Sequence, residues 1–233
     1  MKTAAIIPAA GSGLRMGYAI PKTYLKIDAK PILAHTLLIF QNSDLIDDVY
    51  VVVKKTDVNF AEQAVVRPFS LTKVKAVIPG GKLRQDSINN VLPYLCAEHE
   101  LIVIHDGARP LLNKEILEKT IQVGRQAGAA VAGVPVKETV KSVDKRGIIK
   151  KTVDRKNLFL IQTPQVFNKE TLIKAYEAAY QEQYYGTDDA SLVERIGTPV
   201  KIVEGSYENI KITTPEDLIF AEIITRRREL VKG

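Results

Sequence analysis

Near the amino terminus an apolar run, Ala4-Ala5-Ile6-Ile7, empties into Pro8-Ala9-Ala10-Gly11-Ser12-Gly13-Leu14-Arg15-Met16, with Pro21-Lys22 shortly after. These residue types hold phosphate. A strand that ends in Gly, Ala and Ser lets backbone N–H groups approach an anion closely, because no large side chain stands between amide and phosphate. Arg15 and Lys22 add full positive charge. A tight turn between strand and helix would use the same glycines for packing alone, and the two trailing cations favour the phosphate reading. The loop fits neither common nucleotide fingerprint. A P-loop places Lys and then Ser or Thr directly after its last Gly, where this chain has Leu14-Arg15. A dinucleotide fingerprint needs a third small residue to open the helix, and here Gly11 and Gly13 are followed by Met16 and Gly17 out of register.

A second glycine pair, Pro79-Gly80-Gly81, leads to Ser87 on the helix that follows. The apolar run Leu101 to Ile104 delivers His105-Asp106-Gly107-Ala108-Arg109-Pro110. Ligands of open α/β sheets bind beyond the carboxyl ends of the strands, so these loops are expected to meet around one crevice. Asp106 is the well-placed carboxylate of that set. Mg²⁺ takes a carboxylate oxygen together with phosphate oxygens, which makes Asp106 a candidate metal ligand. The alternative is a turn residue bonded to the amides of Gly107 and Ala108. No Ser or Cys nucleophile motif and no zinc-type spacing is present. Of the three histidines, His35 is expected on a helix and His99 in a polar turn, while His105 is expected to fix the loop beside Asp106 rather than to take a proton. Cations and a metal without a base suit attack by a group that is already anionic. A phosphate monoester carries about −1.5 to −2 charges near neutral pH. Its attack on the α-phosphate of a nucleoside triphosphate needs charge neutralisation and alignment above all.

Elements that position these residues alternate between strand and helix through the first 135 residues, the pattern of a parallel sheet covered by helices. Strands are expected at Ala4 to Ile7, Asp48 to Val53, Lys73 to Ile78, Leu101 to Ile104 and Ala129 to Val134. Pro31 opens a helix through Phe40, Val58 to Val66 is helical, and Asn113 can cap a helix to about Gln126. Ile88, Val91, Leu92 and Leu95 give another helix an apolar face, with Cys96 near its end as a buried, inert thiol. Thr139 to Val143 and Ile148 to Val153 flank Asp144-Lys145-Arg146-Gly147 as a charged hairpin, with 136–160 forming an arm. Such a hairpin cannot bury both faces alone, so packing against a second copy is expected, with a solvated hairpin as the alternative. Helices are also expected near Lys169 to Glu182, from Asp188 to Ile196 and from Pro215, with a strand at Val200 to Val203.

At 233 residues, 45% hydrophobic and 26% charged, the chain is sized for one large globular domain. The net charge of +6 raises nucleic acid as a partner. Against that, aromatic residues are only 6%, Trp is absent, and Arg226-Arg227-Arg228 reads as a solvated helix end. No run approaches a membrane span, no signal peptide is evident, and a single Cys excludes an internal disulfide, so a cytoplasmic setting is expected.

Taken together in order, the loop Pro8 to Met16, Pro21-Lys-Thr-Tyr-Leu25, Pro79-Gly-Gly81 with Asp86-Ser87, and His105 to Pro110 resemble the 2-C-methyl-D-erythritol 4-phosphate cytidylyltransferases. So do Thr152-Val-Asp-Arg155, Gln162-Thr-Pro-Gln165, Thr187-Asp-Asp-Ala-Ser191 and Asn209-Ile-Lys-Ile-Thr213, so that the resemblance spans nearly the whole chain. It implies a single Rossmann-like nucleotidyltransferase domain over 1–233, with a mostly parallel central sheet and a protruding β-hairpin arm. It also implies that CTP and methylerythritol phosphate react, with Mg²⁺, to give the cytidine diphosphate alcohol and pyrophosphate. Arg15 and Lys22 would be catalytic. Ala9, Ala10, Gly11, Gly13, Gly81, Ser87 and Asp106 would hold the nucleotide, with Asp106 also on the metal. Arg109, Thr139, Arg155 and Lys211 would hold the sugar phosphate, and in a homodimer the arm would bring Thr139 and Arg155 from the partner chain. Two departures from the resemblance stand out: Gly107 where Ala is common, and Lys82 where an acidic residue is common. A ribitol-5-phosphate cytidylyltransferase is the nearest alternative, and a nucleotide-binding regulator without turnover a more distant one.

Overall fold

The computed structural model describes residues 2–11 and 20–230. In chain order the first half runs β1 (Lys2–Pro8), β2 (Lys26–Ile27), β3 (Lys30–Pro31), α1 (Ile32–Gln41), β4 (Asp48–Val53), α2 (Val58–Ala61), β5 (Val74–Pro79), α3 (Arg84–Asn89) and β6 (His99–Ile104). There follow α4 (Lys114–Ala127), β7 (Ala129–Pro135), β8 (Val140–Val143), β9 (Ile149–Val153) and β10 (Phe159–Asn168). The chain continues through α5 (Lys169–Gln181), α6 (Asp189–Arg195), β11 (Lys201–Glu204) and α7 (Pro215–Leu230).

Seven strands form the central sheet in the order β11-β7-β10-β6-β1-β4-β5, parallel except for β10, which runs antiparallel to β6 and β7. Alternate residues face opposite layers, as the pleat requires. Ala5, Ile7, Val51 and Val103 pack against α1 and α4, whereas Ala4, Ile6, Val52 and Ile102 pack against α3, α5 and α6. Burial on both faces explains why β1, β4 and β6 read as continuous apolar runs. A smaller cluster of Leu25, Ile27, Ile32, Leu111, Ile212 and Ala221 seats α7 beside β2 and β3.

Three sequence expectations change. The apolar face through Leu95 does not make one helix: α3 ends at Asn89 and a 3₁₀ turn, Leu92–Tyr94, follows. Pro93 is the reason, since it lacks an N–H and its ring clashes with the preceding turn of an α-helix. Cys96 is therefore exposed beyond the turn instead of buried in a helix. His99 is not in a polar turn but opens β6, fully buried, where its Nε2 donates to Asp48 Oδ2 at 2.8 Å and its Nδ1 accepts from the Cys96 amide at 3.1 Å. The arginine run ends the last helix with Arg226 and Arg227 exposed, as expected, while the partly buried Arg228 reaches Glu208 at 2.9 Å and the Leu111 carbonyl at 3.0 Å.

β8 and β9 form the expected hairpin. Asp144 closes its turn, with Oδ1 accepting from the amides of Arg146 and Ile148 at 2.9 and 3.0 Å, and Gly147 takes the left-handed conformation at φ +81°. Between Val136 and Lys156 stand eight Lys or Arg against three Asp or Glu, so most of the chain's excess positive charge sits on this arm.

Helix α4 lies against β10 at Gly124, where a Cβ would stand 2.5 Å from Val166 Cγ1 and 2.9 Å from its Cβ. Removing a helical glycine gains about 1 kcal/mol, but overpacking a stiff valine costs about 1–3 kcal/mol. Gly124→Ala is thus expected to lower stability by about 1 kcal/mol, seen as a lower denaturant midpoint with an unchanged slope.

Candidate active site

A cleft of about 600 Å³ opens where β1, β5 and β6 end. Pro8 to Gly11 form one wall, Gly81 to Arg84 with Ser87 a second, and Asp106, Ala108, Lys211 and Thr213 the floor and far side. The two glycine loops touch: a Cβ on Gly80 would fall 2.6 Å from Ala10 Cβ, and one on Gly81 would fall 2.4 Å from Asp86 Cβ. Both positions require glycine for close approach. Some amides of these loops already have partners. The Ala9 amide donates to Val52 O at 2.6 Å, and the Gly81 amide donates to Ser87 Oγ at 3.1 Å, while Ser87 Oγ donates to Leu83 O at 3.0 Å. Gly107 is close but less constrained, since a Cβ there would be 3.0 Å from Ala9 Cβ and 3.2 Å from Leu33 Cδ1.

Asp106 opens a turn through its backbone oxygen, which accepts from the Arg109 amide at 3.0 Å, but its carboxylate does not take the Gly107 amide as the alternative reading required. The Gly107 amide donates to Pro8 O at 3.0 Å, and the Asp106 carboxylate faces cations. Lys211 Nζ lies 2.8 Å from Oδ2, Arg109 Nε 3.5 Å from Oδ2 and Arg84 Nε 3.4 Å from Oδ1. Burial by itself would raise the carboxyl, but Arg84, Lys211 and Arg109 together hold it well below the usual carboxylate range. Its own amide donates to Thr163 Oγ1 at 3.1 Å. That hydroxyl lies 3.0 Å from His105 Nδ1, and His105 Nε2 donates to Arg109 O at 3.0 Å. The imidazole is fully buried and pushed down to about 4 by burial above all, so it is neutral and fixes the loop, as expected from the sequence.

Lys22 reaches the cleft from a 3₁₀ turn, Lys22–Tyr24, and its Nζ donates to Ile212 O at 2.7 Å. The segment 206–213 that receives it is strapped to the core. Asn209, fully buried, donates to Thr163 O at 2.8 Å, Arg109 Nη1 donates to Asn209 O at 2.6 Å, and the Ile212 amide donates to Ala108 O at 2.9 Å. With Asn209 and Ile212 turned inward, Lys211 between them points to Asp106.

Of the residues singled out in the sequence, Ala9, Ala10, Gly11, Lys22, Gly81, Ser87, Asp106 and Lys211 line this one cleft, and Arg109 supports it from beneath. Gly13 and Arg15 lie outside the described residues. Thr139 and Arg155 are exposed on the arm, where Arg155 Nη1 donates to Lys137 O, and the chain does not bring them to its own cleft. Sequence reasoning missed Arg84. Its position in Gly81-Lys-Leu-Arg84, on the first turn of a helix beginning at the ligand end of the sheet, was the available signal.

Residues 3–227 match the family model described as 2-C-methyl-D-erythritol 4-phosphate cytidylyltransferase. A protein of that description from Syntrophus aciditrophicus is 47% identical, covering 98% of this chain and 97% of its own length. One from Geotalea uraniireducens is 45% identical, covering 95% and 96%. Among solved structures, the 4-diphosphocytidyl-2C-methyl-D-erythritol synthase of Anaerococcus prevotii superposes with a TM-score of 0.84 at 33% identity, covering 97% of this chain and 96% of that one. The 2-C-methyl-D-erythritol 4-phosphate cytidylyltransferase of Thermus thermophilus gives 0.79 at 30% identity, covering 97% and 100%.

A pH prediction follows from His105. Its proton affinity is lower folded than unfolded, so unfolding takes up a proton between pH 6.5 and about 4 and stability falls as pH drops through that window. The loss is on the order of 3 kcal/mol. His35, also lowered mainly by burial, acts in the same sense. Denaturant unfolding at pH 7 and pH 5 is expected to show a little over half of this loss, about 2 kcal/mol, and His105→Gln to reduce but not abolish it.

Proposed function

Since the chain belongs to the 2-C-methyl-D-erythritol 4-phosphate cytidylyltransferase family, we infer that this cleft is where its cytidylyl transfer occurs. The enzyme transfers the cytidylyl group of CTP to 2-C-methyl-D-erythritol 4-phosphate and releases pyrophosphate, a step of isoprenoid precursor synthesis. An oxygen of the sugar phosphate bonds to the α-phosphorus while the bond from that phosphorus to the β-phosphate oxygen breaks. The nucleophile is already anionic, so no side chain has to remove a proton. That matches a cleft rich in cations whose one neighbouring histidine is buried and neutral.

The observation that carries the assignment of roles is the convergence of Lys22, Lys211 and Asp106 on one opening beside two glycine loops. The loops at Ala9 to Gly11 and at Gly81 to Ser87 take the nucleotide. Lys22, with Arg15, neutralises charge that builds on the α-phosphoryl group and the departing pyrophosphate. Lys211 holds the sugar phosphate, and Arg109, facing Asp106 and Asn209 O beneath the cleft, helps build that pocket. Mg²⁺ fits this donor set: among the described residues no three His, Cys, Asp or Glu cluster to bind a metal unaided, and Asp106 offers one carboxylate that phosphate oxygens would complement. When bound, the ion supplies charge neutralisation to the triphosphate.

A homodimer through the arm completes the site. Val143, Ile148, Ile149 and Leu160 are all more than half exposed on the arm and its root, more apolar surface than a hairpin in water retains without a partner. In the dimer Thr139 and Arg155 join the partner's sugar-phosphate pocket. Among the described residues no helix is long and apolar enough to cross a membrane, and the lone thiol makes no internal disulfide, in keeping with a cytoplasmic enzyme.

Purified protein with CTP, Mg²⁺ and methylerythritol phosphate is expected to release pyrophosphate, with ribitol 5-phosphate in parallel giving none. Chelation of the metal is expected to stop release. Lys22→Ala should lower kcat by about 100-fold with little change in CTP affinity. Equal loss of both would make Lys22 a ground-state ligand. Sedimentation should give a dimer, and removal of the β8–β9 hairpin a monomer with a raised KM for the sugar phosphate.

A further inference from the structure

Arg84 stands at the first position of α3, lines the cleft, and meets two carboxylates. Its Nε is 3.4 Å from Asp106 Oδ1, and its Nη1 is 2.8 Å from Asp189 Oδ2. Asp189 is buried at the start of α6, beside a separate small cavity behind Arg84, and its other oxygen accepts from Tyr176 of α5 at 2.6 Å. The next two residues of α3 are tied to the same region. Gln85 Nε2 donates to Tyr184 O at 3.1 Å, Gln85 Oε1 accepts from the Gly186 amide at 3.1 Å, and Asp86 Oδ1 accepts from Tyr180 at 2.8 Å. A guanidinium held in this way has little freedom to follow a ligand.

Lys211 is in a different position. Its Nζ lies 2.8 Å from Asp106 Oδ2 on a side chain 39% exposed, so an incoming phosphate can recruit it only by drawing it off a carboxylate that is 10% exposed. Taking one partner from a buried pair is costly because the remaining charge is left uncompensated. Here it is not, because Arg84 still faces Oδ1 and Arg109 still faces Oδ2. Of these two, Arg84 is anchored from behind by a carboxylate of its own. We propose that Arg84 is a positioning residue for the acceptor substrate: clamped between Asp189 and Asp106, it steadies the Asp106 carboxylate so that Lys211 is released to the sugar phosphate. The proposal rests on the assignment of Lys211 to that phosphate.

The test measures the dissociation constant for CTP by calorimetry, and kcat and KM for methylerythritol phosphate, in Arg84→Met, Asp189→Asn, their double variant, Arg84→Lys and Lys211→Met. Circular dichroism and thermal melts report the fold of each. Asn at position 189 keeps an acceptor for Tyr176 while removing the charge that anchors Arg84, so it carries the test together with Arg84→Lys if Arg84→Met does not fold. Arg84→Met and Asp189→Asn are each expected to raise KM for the sugar phosphate by about tenfold and to leave CTP affinity within about twofold. The double variant should be no worse than Arg84→Met, and Arg84→Lys should recover part of the loss. CTP affinity falling as much as KM rises would make Arg84 a direct nucleotide ligand and overturn the proposal. So would an unchanged KM in folded Asp189→Asn. An unchanged KM in Lys211→Met would instead remove the assignment beneath it, whereas a raised KM there with none in Arg84→Met would overturn the positioning role alone.

Discussion

A single buried carboxylate organises this cleft. Asp106, just past the apolar end of β6, faces Arg84, Arg109 and Lys211, which come from a helix, a loop and a carboxyl-terminal strap widely separated in sequence. An unpaired carboxylate in that position would be strongly unfavourable, and three cations packed together without it would repel one another. Each sign therefore needs the other. The pairing fixes where the cations stand and leaves the cleft positive on balance, which is the field that two phosphate-bearing substrates require.

Much of the remaining structure serves to hold that carboxylate still. Thr163 accepts the Asp106 amide and contacts His105, which in turn bonds Arg109 O. Asn209 bonds Gln162 and Thr163, joining the strap to β10. Gln165 donates to Asp188 at 2.7 Å and accepts from the Ala190 amide at 3.1 Å, joining β10 to α6, whose Asp189 anchors Arg84. Three of the short strings that carry the family resemblance thus bond to one another more than to the cleft.

The parallel half of the fold was legible because burial on both faces leaves strands as unbroken apolar runs, and helix α4 because Asn113 caps it, accepting from the Ile116 amide at 2.9 Å. The glycine loops, Lys22 and Asp106 were legible from residue type and spacing, and Lys211 only through the family resemblance. What the sequence concealed has identifiable causes. β10 carries Pro164 within a strand at the middle of the sheet, a residue that ordinarily argues against such a placement; its pairing with β7 shifts register between Ile161 and Gln165, the kind of irregularity where proline is tolerated. His99 looked polar because its partner, Asp48, is 51 residues away. Arg84 was hidden for the same reason, since both of its carboxylates are distant in sequence and a lone arginine on a helix normally reads as surface.

The most direct test is the turnover of Asp106→Asn with CTP, Mg²⁺ and methylerythritol phosphate, measured by pyrophosphate release on protein whose melt shows it folded. Asparagine keeps the shape and removes the charge that gathers the three cations. Turnover at least about 100-fold below the unaltered enzyme is expected, whereas turnover close to the unaltered enzyme would contradict the central place given to this carboxylate.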